Sequence, residues 1–162
     1  DDAGEDDISE KGLNIGLRHI SLSTSGIVDR INDQHIAEKD LSSLTGDTLQ
    51  FMWKVATEVN VSSGTVMVLI GVRYKYLNEE LVTLEHAYTY EIPDLKDIVD
   101  IDAETNTVTF KIDILPTLVA ASYSTSRGIT YERVKDTELA NYPVPMISMD
   151  VLMSKNGLSL TE

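Results

Sequence analysis

The chain has 162 residues, 42% of them hydrophobic, with 27 acidic against 13 basic side chains and a formal charge of −14; the size suits one domain with a real core, and the charge repels phosphate backbones, so nucleic acid is not an expected partner. No apolar run approaches the ~20 residues needed to cross a membrane, and no basic segment precedes an apolar one at the start, so membrane insertion is not expected and a cytoplasmic location is. The absence of cysteine removes disulfides, thiolate metal sites and cysteine nucleophiles.

Residues 1–10 (DDAGEDDISE) hold six acids and no base, so −8 of the −14 belongs to the rest. With so little apolar content, residues 1–12 are expected to be a disordered acidic tail. A single domain is expected over 13–155, and a frayed C-terminus over 156–162. Leu13 to Ser25 alternates in part and reads as a strand bending near Arg18-His19. Gly26 to Gly46 carries turn formers and a weakly helical piece, His35 to Leu44, and reads as a long crossover.

The next stretch alternates cleanly. Leu49, Phe51, Trp53, Val55, Val59 and Val61 share one face of a first strand. Ser62-Ser63-Gly64 turns the chain into a second strand with Val66, Val68, Ile70, Val72, Tyr74 and Tyr76 in phase. Asn78-Glu79-Glu80 makes the next turn, and Val82, Leu84, His86, Tyr88, Tyr90 and Ile92 follow before Pro93 stops the strand. This is an antiparallel meander. Its opposite face still carries Met52, Ala56, Met67, Leu69 and Ala87, so both sides of the sheet are expected to be partly covered.

Asp94 to Phe110 is acidic, with a turn at Glu104-Thr105-Asn106. A helix follows, with Asp113 as its expected N-terminal cap and Pro116 in its first turn. Leu115, Leu118, Val119, Ser122, Ser126 and Ile129 lie on one face at spacings of three and four. Ala120, Ala121, Ser124, Thr125 and Gly128 form a second face small enough for another backbone to approach, which points to a partner subunit. An extended segment, Tyr142 to Ile147, is bounded by Pro143 and Pro145, and a short apolar piece ends at Met153. The fold class is therefore α+β: a four-stranded antiparallel sheet, a long crossover followed by a three-strand meander, with a long C-terminal helix and a Pro-rich extended segment.

Residues able to carry chemistry are scarce. Asp100, Asp102, Glu104 and Asn106 have the alternate spacing of half a calcium loop, but Thr105 stands where the turn needs glycine and Lys111 where a bidentate acid is needed. An acidic surface hairpin is the better reading. His19, His35 and His86 have no partner at metal-ligand spacing, no serine sits in a nucleophile elbow, and no phosphate loop is present. Neither catalysis, a metal nor a cofactor is expected. The aromatic residues Phe51, Trp53, Tyr74, Tyr76, Tyr88 and Tyr90 suit two purposes: core beneath the helix, or the lining of a groove for extended apolar peptide, to which Tyr142 and Met146 would add.

The order of elements, with Ile114-Leu115-Pro116, Ser126-Arg127-Gly128, Pro143-Val144-Pro145-Met146 and Met149-Asp150-Val151-Leu152, resembles the SecB export chaperone family. Asp150 and Leu152 match that family's C-terminal motif directly, and the resemblance in pattern runs over residues 13–153. It implies a homo-oligomer, dimer or tetramer, with helices packed across subunits through Ala120, Ala121, Ser124 and Gly128. It further implies ATP-independent binding of unfolded or extended polypeptide clients, with the six sheet aromatics, Tyr142 and Met146 as contact residues. There are departures. Ile129 to Val134 continues in helical phase beyond Ser-Arg-Gly, and Asp94 to Phe110 is an insertion. The acidic residue with which the family contacts the SecA motor falls at or near the apolar Ile70, so coupling to SecA is not expected. An alternative keeps the fold without general holdase activity, as a structural or interaction protein, for example a relative associated with a toxin–antitoxin system or a mobile element.

Overall fold

The computed structural model describes residues 21–31 and 49–161. Its centre is a five-stranded sheet ordered β1-β4-β3-β2-β7, with β1 at Ser21–Ile31, β2 at Leu49–Asn60, β3 at Thr65–Tyr76, β4 at Glu79–Glu91 and β7 at Gly157–Thr161. A separate hairpin pairs β5, Val99–Asp102, with β6, Thr107–Phe110. Between the sheet and this hairpin lies a single helical turn, α1, Leu95–Ile98. The main helix, α2, spans Leu115–Val134, and a short α3 spans Met149–Ser154.

The α+β class and the antiparallel arrangement of β1, β4, β3 and β2 agree with the reading of the sequence. β1 lies against β4, on the far side of the meander from β2, so the connection from β1 to β2 is a crossover. The first strand runs to Ile31, past the Ser25 where alternation stops. Its register shifts between Ser25 and Val28, and such a bulge breaks the period of two that marks a strand in sequence. The acidic tail, the bend at Arg18-His19, the stretch His35 to Leu44, and His19 and His35 lie outside the described residues.

In the meander, alternation translates directly into burial. Val66, Val68, Ile70, Val72 and Tyr74 of β3 are buried, as are Val82, Leu84, His86, Tyr88 and Tyr90 of β4. Leu81 is buried as well, because β3 and β4 change register between Tyr74 and Lys75, and Leu81 is the extra residue. The β3–β4 turn is Leu77-Asn78, both at positive φ (46° and 69°), as a two-residue hairpin loop matched to strand twist requires. Glu79 and Glu80, read from sequence as turn, already pair with Tyr76 and Lys75. The β2–β3 turn needs Gly64, whose φ is +68° and whose missing Cβ would lie 3.3 Å from the Ile92 carbonyl.

On the opposite face the side chains are mixed. Met52 is exposed, Met67 and Leu69 are half-buried, and Ala87 is buried. Lys54 lies across Gly71 to pair with Glu85 at 2.5 Å, and a Cβ on residue 71 would meet the lysine Cγ at 2.7 Å.

α2 covers the other face of β3 and β4. Leu115, Leu118, Val119, Ser122, Tyr123, Ser126, Thr130 and Val134 are its buried residues. Asp113 is not the cap. Ile114 holds that position, no side chain caps the helix, and the start is set by Pro116 in the first turn. The helix continues through Ile129 to Val134, as its phase indicates. Truncating a fully packed residue such as Leu118 to Ala is expected to cost about 2–5 kcal/mol.

The C-terminal residues differ most from expectation. Within the expected frayed stretch 156–162, residues Gly157–Thr161 instead form β7 parallel to β2, pairing Ala56 with Gly157 through to Asn60 with Thr161. α3 supplies the reversal that a parallel strand requires, and its N-terminal Ser148 accepts from the Val151 amide.

Candidate functional site

The Pro-rich segment is fastened over an aromatic cluster on β2 and β3. Pro143 and Pro145 have no N–H, so this extended stretch is held mainly through its carbonyls. Side chains supply the donors. Tyr74 Oη donates to the Tyr142 carbonyl at 2.7 Å, Tyr123 Oη to the Pro145 carbonyl at 2.7 Å, and Arg127 Nε to the Val144 carbonyl at 3.0 Å. Val144 points inward and is buried, whereas Met146 is 84% exposed. Phe51 lies 5.3 Å from Tyr74 between ring centroids, and Trp53 lies 6.5 Å from Tyr123 in an edge-on arrangement. The Lys155 ammonium sits 5.5 Å from the Trp53 ring centre.

Burial raises the phenol of Tyr74 well above its ordinary value, with nearby Tyr123 adding to the rise. Burial also pushes Tyr123 up to about 12, against the pull of the Arg127 guanidinium. Both phenols therefore stay protonated donors at neutral pH, which is the state that holds the segment.

A second set of aromatics lies deeper. Tyr88 Oη and Ser126 Oγ are 2.7 Å apart, and Tyr90 Oη and Ser122 Oγ are 2.7 Å apart. Ser122 also donates to the Leu118 carbonyl at 2.8 Å, and Ser126 Oγ is 3.4 Å from His86 Nδ1. Burial raises the phenols of Tyr88 and Tyr90, while their serine partners lower them. Among the described residues no buried side-chain nitrogen or oxygen lacks a hydrogen bond.

Of the eight residues assigned to client contact, the structure gathers Phe51, Trp53, Tyr74 and Tyr142, with Met146 at their margin. Tyr76 is half-buried at the end of β3. Tyr74, Tyr88 and Tyr90 are corrected to core. Each is at most 5% exposed, and each hydroxyl is engaged within the fold, so none offers surface to a ligand. Sequence reasoning missed Tyr123 and Arg127. The signal was available: a Pro-x-Pro stretch needs donors for its carbonyls, and these two residues are four apart on α2, hence on one face.

Exposed apolar side chains continue from Met146 along the next elements, as Met149 and Val151 on α3 and Leu158 on β7. On α2, Ala121, Ser124 and Gly128 face outward and Ala120 is half-exposed. A Cβ on residue 128 would meet nothing within 4 Å. In the acidic segment 94–110, the β5–β6 hairpin holds two of its carboxylates locally. The Asp102 carboxylate accepts from the Glu104 and Thr105 amides, and Lys111 lies 3.6 Å from Asp100. The Thr105 hydroxyl and then these amides hold the Asp102 carboxyl below its ordinary range. Among the described residues no three His, Asp or Glu side chains come together to hold a metal ion, and no helix is long and apolar enough to cross a membrane.

No protein-family model matches the chain. Over 95 residues it is 32% identical to a probable dual-specificity RNA methyltransferase, RlmN, of Clostridium acetobutylicum; the stretch covers 55% of this chain and 27% of that protein. The chain thus spans only 27% of the length of the curated relative it matches. Among solved structures it is similar to a SecB-like chaperone of Mycobacterium tuberculosis in complex with a ChAD peptide from an antitoxin. That likeness has a TM-score of 0.41 at 13% identity, covering 88% of this chain and 98% of the chaperone.

Proposed function

We propose that this chain is a SecB-like, non-catalytic protein that binds unfolded or extended polypeptide as a homo-oligomer, without ATP or cofactor. One observation carries the reading. Met146, Met149, Val151 and Leu158 are 38–84% exposed on three successive elements, and Phe51 and Trp53 are only half-buried. Flexible methionines and flat aromatic rings give contact area without strict shape demands, as a binder of many sequences needs. The resemblance of its motifs to those of the SecB family and the outward small-residue face of α2 support the same reading. A charge of −14 disfavours the rival in which an RNA is the substrate.

The test is binding of a permanently unfolded, reduced and alkylated protein, followed by fluorescence anisotropy. The variant Met146→Ser/Met149→Ser/Val151→Ser should bind at least several-fold more weakly than wild type at an unchanged thermal midpoint. Equal binding by both would refute this surface. Lack of binding by both, with an assembly that covers these side chains, would favour the interaction-protein alternative.

A further inference from the structure

β7 and β2 form an unequal pair. β2 belongs to the core, with Val55, Thr57 and Val59 buried. β7 is five residues long and parallel, a geometry slightly less stable per residue than antiparallel pairing. After pairing, Gly157, Leu158 and Ser159 are all still exposed. Gly157 adds no side chain, and a Cβ there would meet nothing within 4 Å. The strand also lies beside β6, and among the described side chains two links tie it to β2. Thr57 Oγ1 donates to Asn156 Oδ1 at 2.8 Å, and Ser159 Oγ reaches the Thr57 carbonyl at 3.5 Å, the limit of a hydrogen bond.

We infer that the β2 edge at Ala56–Asn60 is an acceptor site for an extended peptide, and that β7 is its displaceable resident strand. Pairing along this edge uses main-chain groups, which any non-proline segment supplies, so the site does not demand the sequence of β7. The ligand class is an extended stretch of about five residues running parallel to β2 and free of proline, as Gly157-Leu158-Ser159-Leu160-Thr161 is. The Asn156 amide on buried Thr57 fixes the resident's register, and an incoming strand with a polar residue at that place gains the same bond. The ligand class rests on the polypeptide-binding reading above, whereas the acceptor edge can be tested without any client.

The experiment uses the full chain carrying Leu158→Pro/Ser159→Pro. Alternate residues of a parallel strand bond to a given neighbour, so one of two consecutive prolines must remove a ladder donor. The probe is a labelled synthetic peptide of residues 155–162. The variant should bind it at least tenfold more tightly than wild type, because the tethered strand competes at an effective concentration of about millimolar. A peptide bearing the same two prolines should not bind. Equal binding by variant and wild type, or equal binding of the two peptides, overturns the inference.

If the variant has no cooperative thermal transition, amide hydrogen exchange on wild type decides. Amides of residues 157–161 should exchange through local opening at least 100-fold faster than those of β3. Exchange of both only through global unfolding overturns the acceptor site. If the variant captures the peptide but not a reduced, alkylated client, the edge stands and the proposed function falls.

Discussion

The buried tyrosine–serine contacts between sheet and helix give an asymmetric prediction. Tyr88 Oη and Ser126 Oγ are 2.7 Å apart with both residues fully buried, and Ser126 has a further neighbour, His86 Nδ1, at 3.4 Å. Ser126→Ala leaves the Tyr88 hydroxyl without its partner in a site closed to water, an expected cost of about 1–3 kcal/mol. Tyr88→Phe removes the phenolic oxygen but leaves Ser126 within reach of His86, an expected cost of about 0.5–1.5 kcal/mol. The double variant leaves no orphan phenol, so it should be no less stable than Ser126→Ala alone, with a coupling energy of about 1 kcal/mol. Urea unfolding at fixed protein concentration reads this out. With a slope of about 2 kcal/mol/M, each kcal/mol moves the midpoint by about 0.5 M. Costs that add to within about 0.3 kcal/mol, or a Tyr88→Phe cost above that of Ser126→Ala, would refute the assignment of this pair as a sealed hydrogen bond.

Tyr123→Phe and Arg127→Met each remove one donor to the Pro-rich segment. Amide exchange at Val144 and Met146 should accelerate while β3 is unaffected, and unchanged exchange would show that the carbonyl contacts do not hold the segment. In alkali the four buried phenols, Tyr74, Tyr88, Tyr90 and Tyr123, are all raised in the folded state. Their contribution to stability is complete below the ordinary phenol value of about 10 and is lost as pH rises through the folded values, so unfolding should set in above about pH 10. Tyrosinate absorbance should then rise together with loss of structure; titration of all seven tyrosines near 10 in a folded chain would contradict this. Ala121→Leu places a large side chain on the outward face of α2, where overpacking a close subunit contact costs about 1–3 kcal/mol. Sedimentation should show a weakened assembly, and a wild type already monomeric at micromolar concentration would refute the interface.

The meander was legible in the sequence because β3 and β4 each have one face against α2 and therefore alternate cleanly, from Val66 to Tyr74 and from Val82 to Tyr90. α2 was legible from Leu115, Leu118 and Val119, and its end at Val134 from continued phase. What could not be read there depends on contacts between distant residues. Helical phase put Ser122 and Ser126 on the stripe of Leu115, Leu118 and Val119, but it could not show that Thr130 faces the core as well or that tyrosine hydroxyls from β4 reach the two serines. The same fact turned Tyr88 and Tyr90 from candidate ligand contacts into core. β7 was missed because Gly157-Leu158-Ser159-Leu160-Thr161 is short and follows a turn, and only the edge of β2 makes it a strand. The bulges at Gly26-Ile27 and Leu81 hid strand continuity by breaking the period of two. Within the candidate site, Phe51, Trp53 and Tyr142 were found by strand phase and proline boundaries, while Tyr123 and Arg127 required asking how the segment's carbonyls are satisfied.

The central claim, that this chain holds unfolded polypeptide on exposed apolar surface, is tested most directly by light scattering from several unrelated clients diluted out of denaturant. Stoichiometric wild-type protein, with no nucleotide present, should suppress aggregation of each client regardless of its sequence. Scattering that proceeds unchanged for all of them in the presence of the folded chain would contradict the account.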